Sequence, residues 1–291
     1  MLRQRVISSA LGLPPIIALI WVGGAWFSVA VGLIVLAGTA ELYETATRAN
    51  GRAAGPGGVG MKRRPMWPLG LAFSPLLVAA AHFGGPWPAA ALTVLIVLGL
   101  VAALSRDLIG AQPTRARAPT QWDGPSPAGL NDWLWTVGGV LYVGWLGSYL
   151  VLLRGLEEGR AWTLLAILST FTADIAAYFT GRAWGRRKLA PSISPGKTIE
   201  GTLGGIVGAV AAAVALNYIT GLRASWTIIA PLGLLLGIAA VAGDLVESMF
   251  KRAAGVKDAG VLIPGHGGVL DRLDSVLFVA AVVYYYARWI A

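Results

Sequence analysis

Nine apolar runs of membrane-spanning length dominate this chain, at residues 6–22, 26–42, 66–83, 88–104, 133–153, 161–181, 201–220, 226–250 and 274–290. A helix of about 20 apolar residues matches the hydrocarbon thickness of a bilayer and satisfies its own backbone there. Nine such runs in 291 residues leave little chain for anything else. Charged residues make up only 13%, where soluble domains carry roughly a quarter. The reading is an all-α, polytopic integral membrane protein with about nine transmembrane helices, forming a single membrane domain over residues 1–291. Arg3 and Arg5 before the first run imitate a signal peptide. A second run follows at once and no A-x-A site appears, so the first reads as an uncleaved helix, perturbed by Pro14-Pro15.

Lysine and arginine placement orients the helices. With the N-terminus cytoplasmic, nineteen of them fall on that side, and four (Arg154, Arg160, Arg223 and Arg288) on the other. This is a positive-inside pattern. It accounts for the net charge of +9 without nucleic acid. Trp21, Trp26, Trp87, Trp133, Trp162, Trp226 and Trp289 stand near run ends, as an aromatic belt does. There is no cysteine, and the two histidines are too few for a His-rich metal site.

Residues 1–165 hold few polar groups inside the runs and residues 166–291 read as the catalytic helices and loops, with charge concentrated over 170–275 at or just inside the cytoplasmic surface. Asp174 lies inside the sixth run and Asp244 inside the eighth. An acid at the bilayer centre costs about 2.5–3.5 kcal/mol on insertion scales, so it faces a wet cavity or a partner. Asp244, Glu247, Ser248 and Lys251 share one helix face by their i, i+3, i+4, i+7 spacing. Asp271, Asp274 and Ser275 repeat the arrangement at the ninth run. Structural ion pairs would explain any one of these acids. Several acids at one depth suit Mg²⁺ or Ca²⁺, which take hard oxygen ligands.

A second element is "SISPGKTIEGTLGG", residues 192–205. Ser194 reads as a helix cap with Pro195 at the first helical position, placing Lys197 and Thr198 in the first turn, where phosphate binds well. An ordinary capped helix entry is the plainer alternative. Gly196-Lys197-Thr198 ends like a P-loop, but that motif needs glycine where this chain has Pro191, and no strand is read before it. Arg182, Arg186, Arg187 and Lys188 serve as topology anchors, with a substrate role open to Arg182. His82 reads as structural. His266 stands among Gly265, Gly267 and Gly268, which allow a ligand to approach closely.

The stretch "SMFKRAAGVKDAGVLIPGHGGVLDRLD", residues 248–274, resembles the signature of phosphatidate cytidylyltransferases, the CDP-diacylglycerol synthases. "SPGKTIEG" (194–201) and "DIAAYFTGRAWGRRK" (174–188) resemble two further blocks of that family. The likeness is specific over about 170–275, and residues 1–165 agree only in being helical and apolar. It implies the reaction of CTP with phosphatidate, giving CDP-diacylglycerol and pyrophosphate, with Mg²⁺, in a homodimer at the cell membrane with its active site on the cytoplasmic side. It also implies Asp244 and Asp271 as principal metal ligands, with Asp274, Asp174 and Glu247 in or around that site. Lys197, Lys251, Arg252, Lys257 and Arg272 would meet the triphosphate and the lipid headgroup, beside Ser194, Thr198 and Arg182, and His266 would act in catalysis. Other readings are a related lipid-phosphate cytidylyltransferase, a polyprenol kinase-like enzyme, or a cation-coupled transporter. The transporter would need polar residues through both membrane halves, and the acids cluster on one side.

Overall fold

The computed structural model describes residues 14–53, 65–110, 128–256, 260 and 267–290. Helix is the dominant element, as the apolar runs require. In chain order the helices are α1 (residues 14–22), α2 (Gly24–Ala53), α3 (Trp67–Phe83), α4 (Trp87–Gly110), α5 (Ala128–Gly139), α6 (Leu146–Arg154), α7 (Gly159–Trp184), α8 (Ile199–Ile219), α9 (Trp226–Ala253) and α10 (Leu270–Trp289). A π-helical segment, Val140–Trp145, joins α5 to α6.

Among the described residues, six helices have the length and hydropathy to cross a membrane: Gly24–Arg48, Trp87–Ser105, Gly129–Arg154, Gly159–Trp184, Ile199–Ile219 and Trp226–Ala253. The chain is an all-α polytopic membrane protein, but the count of nine spans is not reached on these criteria. Run 66–83 gives a shorter apolar helix of 17 residues. Run 274–290 lies in α10, whose first turns carry Asp271, Arg272 and Asp274. Run 6–22 is described only from residue 14.

Two large buried apolar clusters build most of the bundle, beside a smaller third that joins α3, α4, α5 and the π segment through Leu77, Leu95, Val137 and Val140. One joins α2, α3, α6 and α10 through Val35, Leu42, Val78, Leu150, Leu270 and Leu277; the other joins α7, α8, α9 and α10 through Leu165, Ala209, Leu232, Leu236, Val279 and Val283. Phe278 and Tyr284 of α10 pack against both, and α6 and α7 also enter both, through Leu150 and Leu153 and through Ile167 and Leu165. Close crossings depend on small residues, as is usual where lipid supplies no hydrophobic drive between helices. A Cβ on Gly144 would stand 2.8 Å from the backbone of Ser74, which fixes how α3 crosses the π segment.

One local expectation is corrected here. Ser194 does not cap a helix, and Lys197 and Thr198 are not in a first turn. Ser194–Thr198 forms strand β2, pairing antiparallel with β1, Lys188–Ala190. Helix α8 starts at Ile199 with Thr198 as its cap, its Oγ1 accepting the Gly201 N–H at 3.1 Å. Glu200 explains the shift: its carboxylate accepts the N–H groups of Arg186 and Arg187, folding the chain after α7 back against the start of α8. Strand β1 does precede Gly196-Lys197-Thr198, but these residues lie within strand β2 itself, and the missing glycine at Pro191 still separates the stretch from a P-loop.

Candidate active site

The site is assembled from α7, the hairpin, α8, α9 and α10. On α9, Asp244, Glu247, Ser248 and Lys251 do share a face. Ser248 Oγ donates to Asp244 Oδ1 at 3.3 Å, and Lys251 pairs with Glu247 one turn away. Glu247 is fully buried, and neither of its oxygens has a well-angled hydrogen bond, so Lys251 holds it as an ion pair.

Helix α10 meets this face where α9 has no side chain. A Cβ on Gly243 would stand 2.9 Å from Ser275 Cα, and Ser275 Oγ donates to Ala240 O at 3.0 Å. The crossing carries Asp274 to the α9 acids. One carboxylate oxygen from each of Asp244, Glu247 and Asp274 lies within 4.8 Å of the others.

Asp271, expected beside Asp244 as a metal ligand, adjoins this group through Glu247 and Lys251. Its Oδ1 accepts from Lys251 Nζ at 2.8 Å and its Oδ2 from the Gly268 N–H at 2.7 Å. Lys251 thus bridges Glu247 and Asp271.

Lys197 reaches across from β2. Its Nζ lies 2.6 Å from Asp244 Oδ2 as an ion pair, without a well-angled hydrogen bond. Between the hairpin, α7, α8 and α9 opens a cavity of about 470 Å³. Asp174, Asp244, Lys197, Arg182, Tyr178, Thr198 and Thr202 line it, with Gly181, Gly196, Gly201 and Ala240 among the small residues that leave it open. Acids and cations therefore face one another around a space on the scale of a small-molecule site.

The remaining expected residues are spread more widely. Arg252 donates to Ile193 O at 3.0 Å and so pins the hairpin loop. Ser194 begins β2, and Arg272 lies on an exposed part of α10. Lys257 and His266 lie outside the described residues. His82 is hydrogen-bonded to Ser28 at 2.9 Å, between α3 and α2. Sequence reading missed Tyr178, although its i, i+4 spacing from Arg182 was available; Arg182 Nη1 donates to its hydroxyl at 3.2 Å. It also missed Glu41 on α2, whose Oε2 accepts the Leu270 N–H at 2.8 Å.

The profile of the cytidylyltransferase family matches residues 3–290. The chain belongs to that family. Among its relatives is a phosphatidate cytidylyltransferase from Synechocystis sp., 34% identical over 302 aligned residues that cover 97% of this chain and 95% of the relative. Phosphatidate cytidylyltransferases from Brucella suis and Bacillus subtilis are 44% and 40% identical over 52% and 50% of this cytidylyltransferase. Those two matches span about half of the relatives, 56% and 54%. The Synechocystis match extends the likeness through residues 1–165, well beyond the signature blocks.

Proposed function

We propose that this membrane cytidylyltransferase joins CTP to phosphatidate, forming CDP-diacylglycerol and pyrophosphate in phospholipid synthesis. The observation that carries the reading is the near full-length relation to a phosphatidate cytidylyltransferase, 34% identical over 97% of the chain. The lysine and arginine distribution supports an active site on the cytoplasmic side, where nucleotide and lipid headgroup meet. A homodimer belongs to the same proposal.

The acid group suits a divalent cation. Its donors are hard carboxylate oxygens of three residues gathered within 4.8 Å, more negative charge than Lys251, paired with Glu247, and Lys197, paired with Asp244, compensate. Asp244, Glu247 and Asp274 would hold the ion, with Asp271 beside Glu247 as a further ligand and Asp174 across the cavity. Mg²⁺ there would supply positive charge against the phosphate oxygens during transfer.

The chain's own residues supply position and charge. Phosphatidate is a phosphate monoester with a second pKa near 6, so it is mostly dianionic at neutral pH and needs no dedicated base. Its phosphate oxygen attacks the α-phosphorus of CTP. The bond from that phosphorus to the bridging oxygen breaks, and pyrophosphate leaves with the electron pair. Two anions must meet, so cations that neutralise and align them account for most of the catalysis. Lys197 and Arg182, both on the cavity wall, are placed to do so, and Thr198 and Tyr178 offer hydroxyls there. Lys251 keeps Glu247 and Asp271 fixed behind the wall. Lys257, His266, Ser194, Arg252 and Arg272 retain their proposed roles at the nucleotide and headgroup.

The test is purified protein with labelled CTP and phosphatidate in detergent. CDP-diacylglycerol and pyrophosphate should appear in equal amounts. Release of a nucleoside diphosphate would instead mark a kinase and overturn the reading.

A further inference from the structure

The chemistry read from the sequence lies after residue 165, yet one carboxylate from the apolar first half reaches it. Glu41 on α2 is only 7% exposed. Its Oε2 accepts the N–H of Leu270 in the first turn of α10. That N–H has no acceptor within its own helix. Glu41 Oε1 is buried and makes no hydrogen bond among the described residues.

Two glycines of the signature press on the same carboxylate. A Cβ on Gly260 would stand 2.5 Å from Glu41 Oε1, and one on Gly268 would stand 2.5 Å from Oε2. Neither glycine has a left-handed backbone, whereas Gly267 does, at φ +85°. Gly267 is therefore glycine for its conformation, and Gly260 and Gly268 are glycine for room. What needs the room is Glu41.

Burying a carboxylate is costly, and an apolar side chain would fill the same space without that cost. What only the carboxylate adds is a charged acceptor for the start of α10. From there the contacts run on without a gap. The Gly268 N–H donates to Asp271, Asp271 takes Lys251, and Lys251 takes Glu247 of the acid group.

We propose that Glu41 is a positioning residue for the transfer reaction: it fixes the turn Gly268–Leu270 and thereby aims Asp271 and Asp274. The inference rests on the cytidylyltransferase reading above. The test compares wild type with Glu41→Ala, Glu41→Gln, Gly268→Ala and the Glu41→Ala/Gly268→Ala double variant, as full-length chains in detergent. CDP-lipid formation, KM for CTP and melting are measured for each.

Glu41→Ala should lower kcat by about 10²-fold, the scale of a misplacement of about 1 Å, with KM for CTP little changed. Glu41→Gln keeps an acceptor for Leu270 and should retain most of the rate. Gly268→Ala should lose activity because its new methyl meets Glu41, so the double variant should be no worse than either single. A folded Glu41→Ala with wild-type kcat, or losses that simply add, would overturn the proposal. Should Glu41→Ala fail to fold, Gly268→Ala carries the test, and a folded Gly268→Ala with wild-type kcat defeats the proposal. A wild type that forms no CDP-lipid defeats the functional reading and this proposal with it; an active wild type beside an active Glu41→Ala defeats the proposal alone.

Discussion

Lys197 Nζ lies 2.6 Å from Asp244 Oδ2, joining the hairpin to α9 across the mouth of the cavity. Lys197 Nζ itself is buried, but the Asp244 side chain keeps 34% of its exposure, so water reaches the pair from the carboxylate side. Pairs that water reaches contribute about 0–1 kcal/mol to stability. Their value here is placement: each group is held where an anion, or an ion that binds anions, would displace the other.

Lys197→Met should therefore leave melting nearly unchanged while lowering kcat/KM for CTP by about 10²-fold, the scale for losing one preorganised charged contact. Steady-state kinetics and a melting curve in the same detergent check this. Unchanged kinetics with a lowered melting temperature would make the pair structural only.

The acid group should behave as one unit. Asp244→Asn, Glu247→Gln and Asp274→Asn each remove one of three donors that lie within 4.8 Å. Each should cut turnover by more than about 10²-fold, and pairs of these changes should be scarcely worse than singles. Excess EDTA should abolish activity and added Mg²⁺ should restore it. Full turnover in EDTA would remove the metal from the mechanism.

Lys251 carries a different prediction, because it pairs with both Glu247 and Asp271. Lys251→Met leaves a fully buried carboxylate uncompensated, and stranding a buried charge costs about 3–5 kcal/mol. Glu247→Gln leaves Lys251 its second partner and should cost less. Thermal unfolding should rank Lys251→Met below Glu247→Gln, with the double variant recovering part of the loss. The reverse order would defeat this assignment.

These outcomes bear on what the sequence made legible. Helical period alone put Asp244, Glu247, Ser248 and Lys251 on one face, since neighbours at i+3 and i+4 are fixed by local geometry. The same reasoning could not choose between Asp271 and Asp274 as the acid nearest Asp244. That choice depends on how α10 is rotated about its axis, which the crossing at Gly243 and Ser275 decides. The hairpin escaped because Ser194-Pro195 imitates a helix start, while the contact that competes with it, Glu200 to Arg186 and Arg187, joins residues 14 and 13 positions apart. Glu41 lies 229 positions from Leu270, and no local pattern announces such a contact.

The final prediction concerns what keeps the cavity in shape. Helix α8 lies against α7 through Gly201 and Gly205, spaced as in G-x-x-x-G. A Cβ on Gly201 would stand 2.9 Å from the Ala177 carbonyl oxygen, and one on Gly205 would stand 3.0 Å from Ala177 Cβ. The first obstacle is backbone and cannot rotate away. Gly201→Leu must therefore push α8 off α7, and overpacking of this kind costs about 1–3 kcal/mol. Gly201 and Ala177 both line the cavity, so the displacement reaches the wall that carries Thr198 and Lys197. Gly196 is the matched control, since it lines the same cavity but a Cβ there would meet nothing within 4 Å. Gly201→Leu should lower both the melting temperature and kcat, whereas Gly196→Ala should leave melting unchanged. Equal melting temperatures for the two variants would show that the α7–α8 contact does not set the stability of the site.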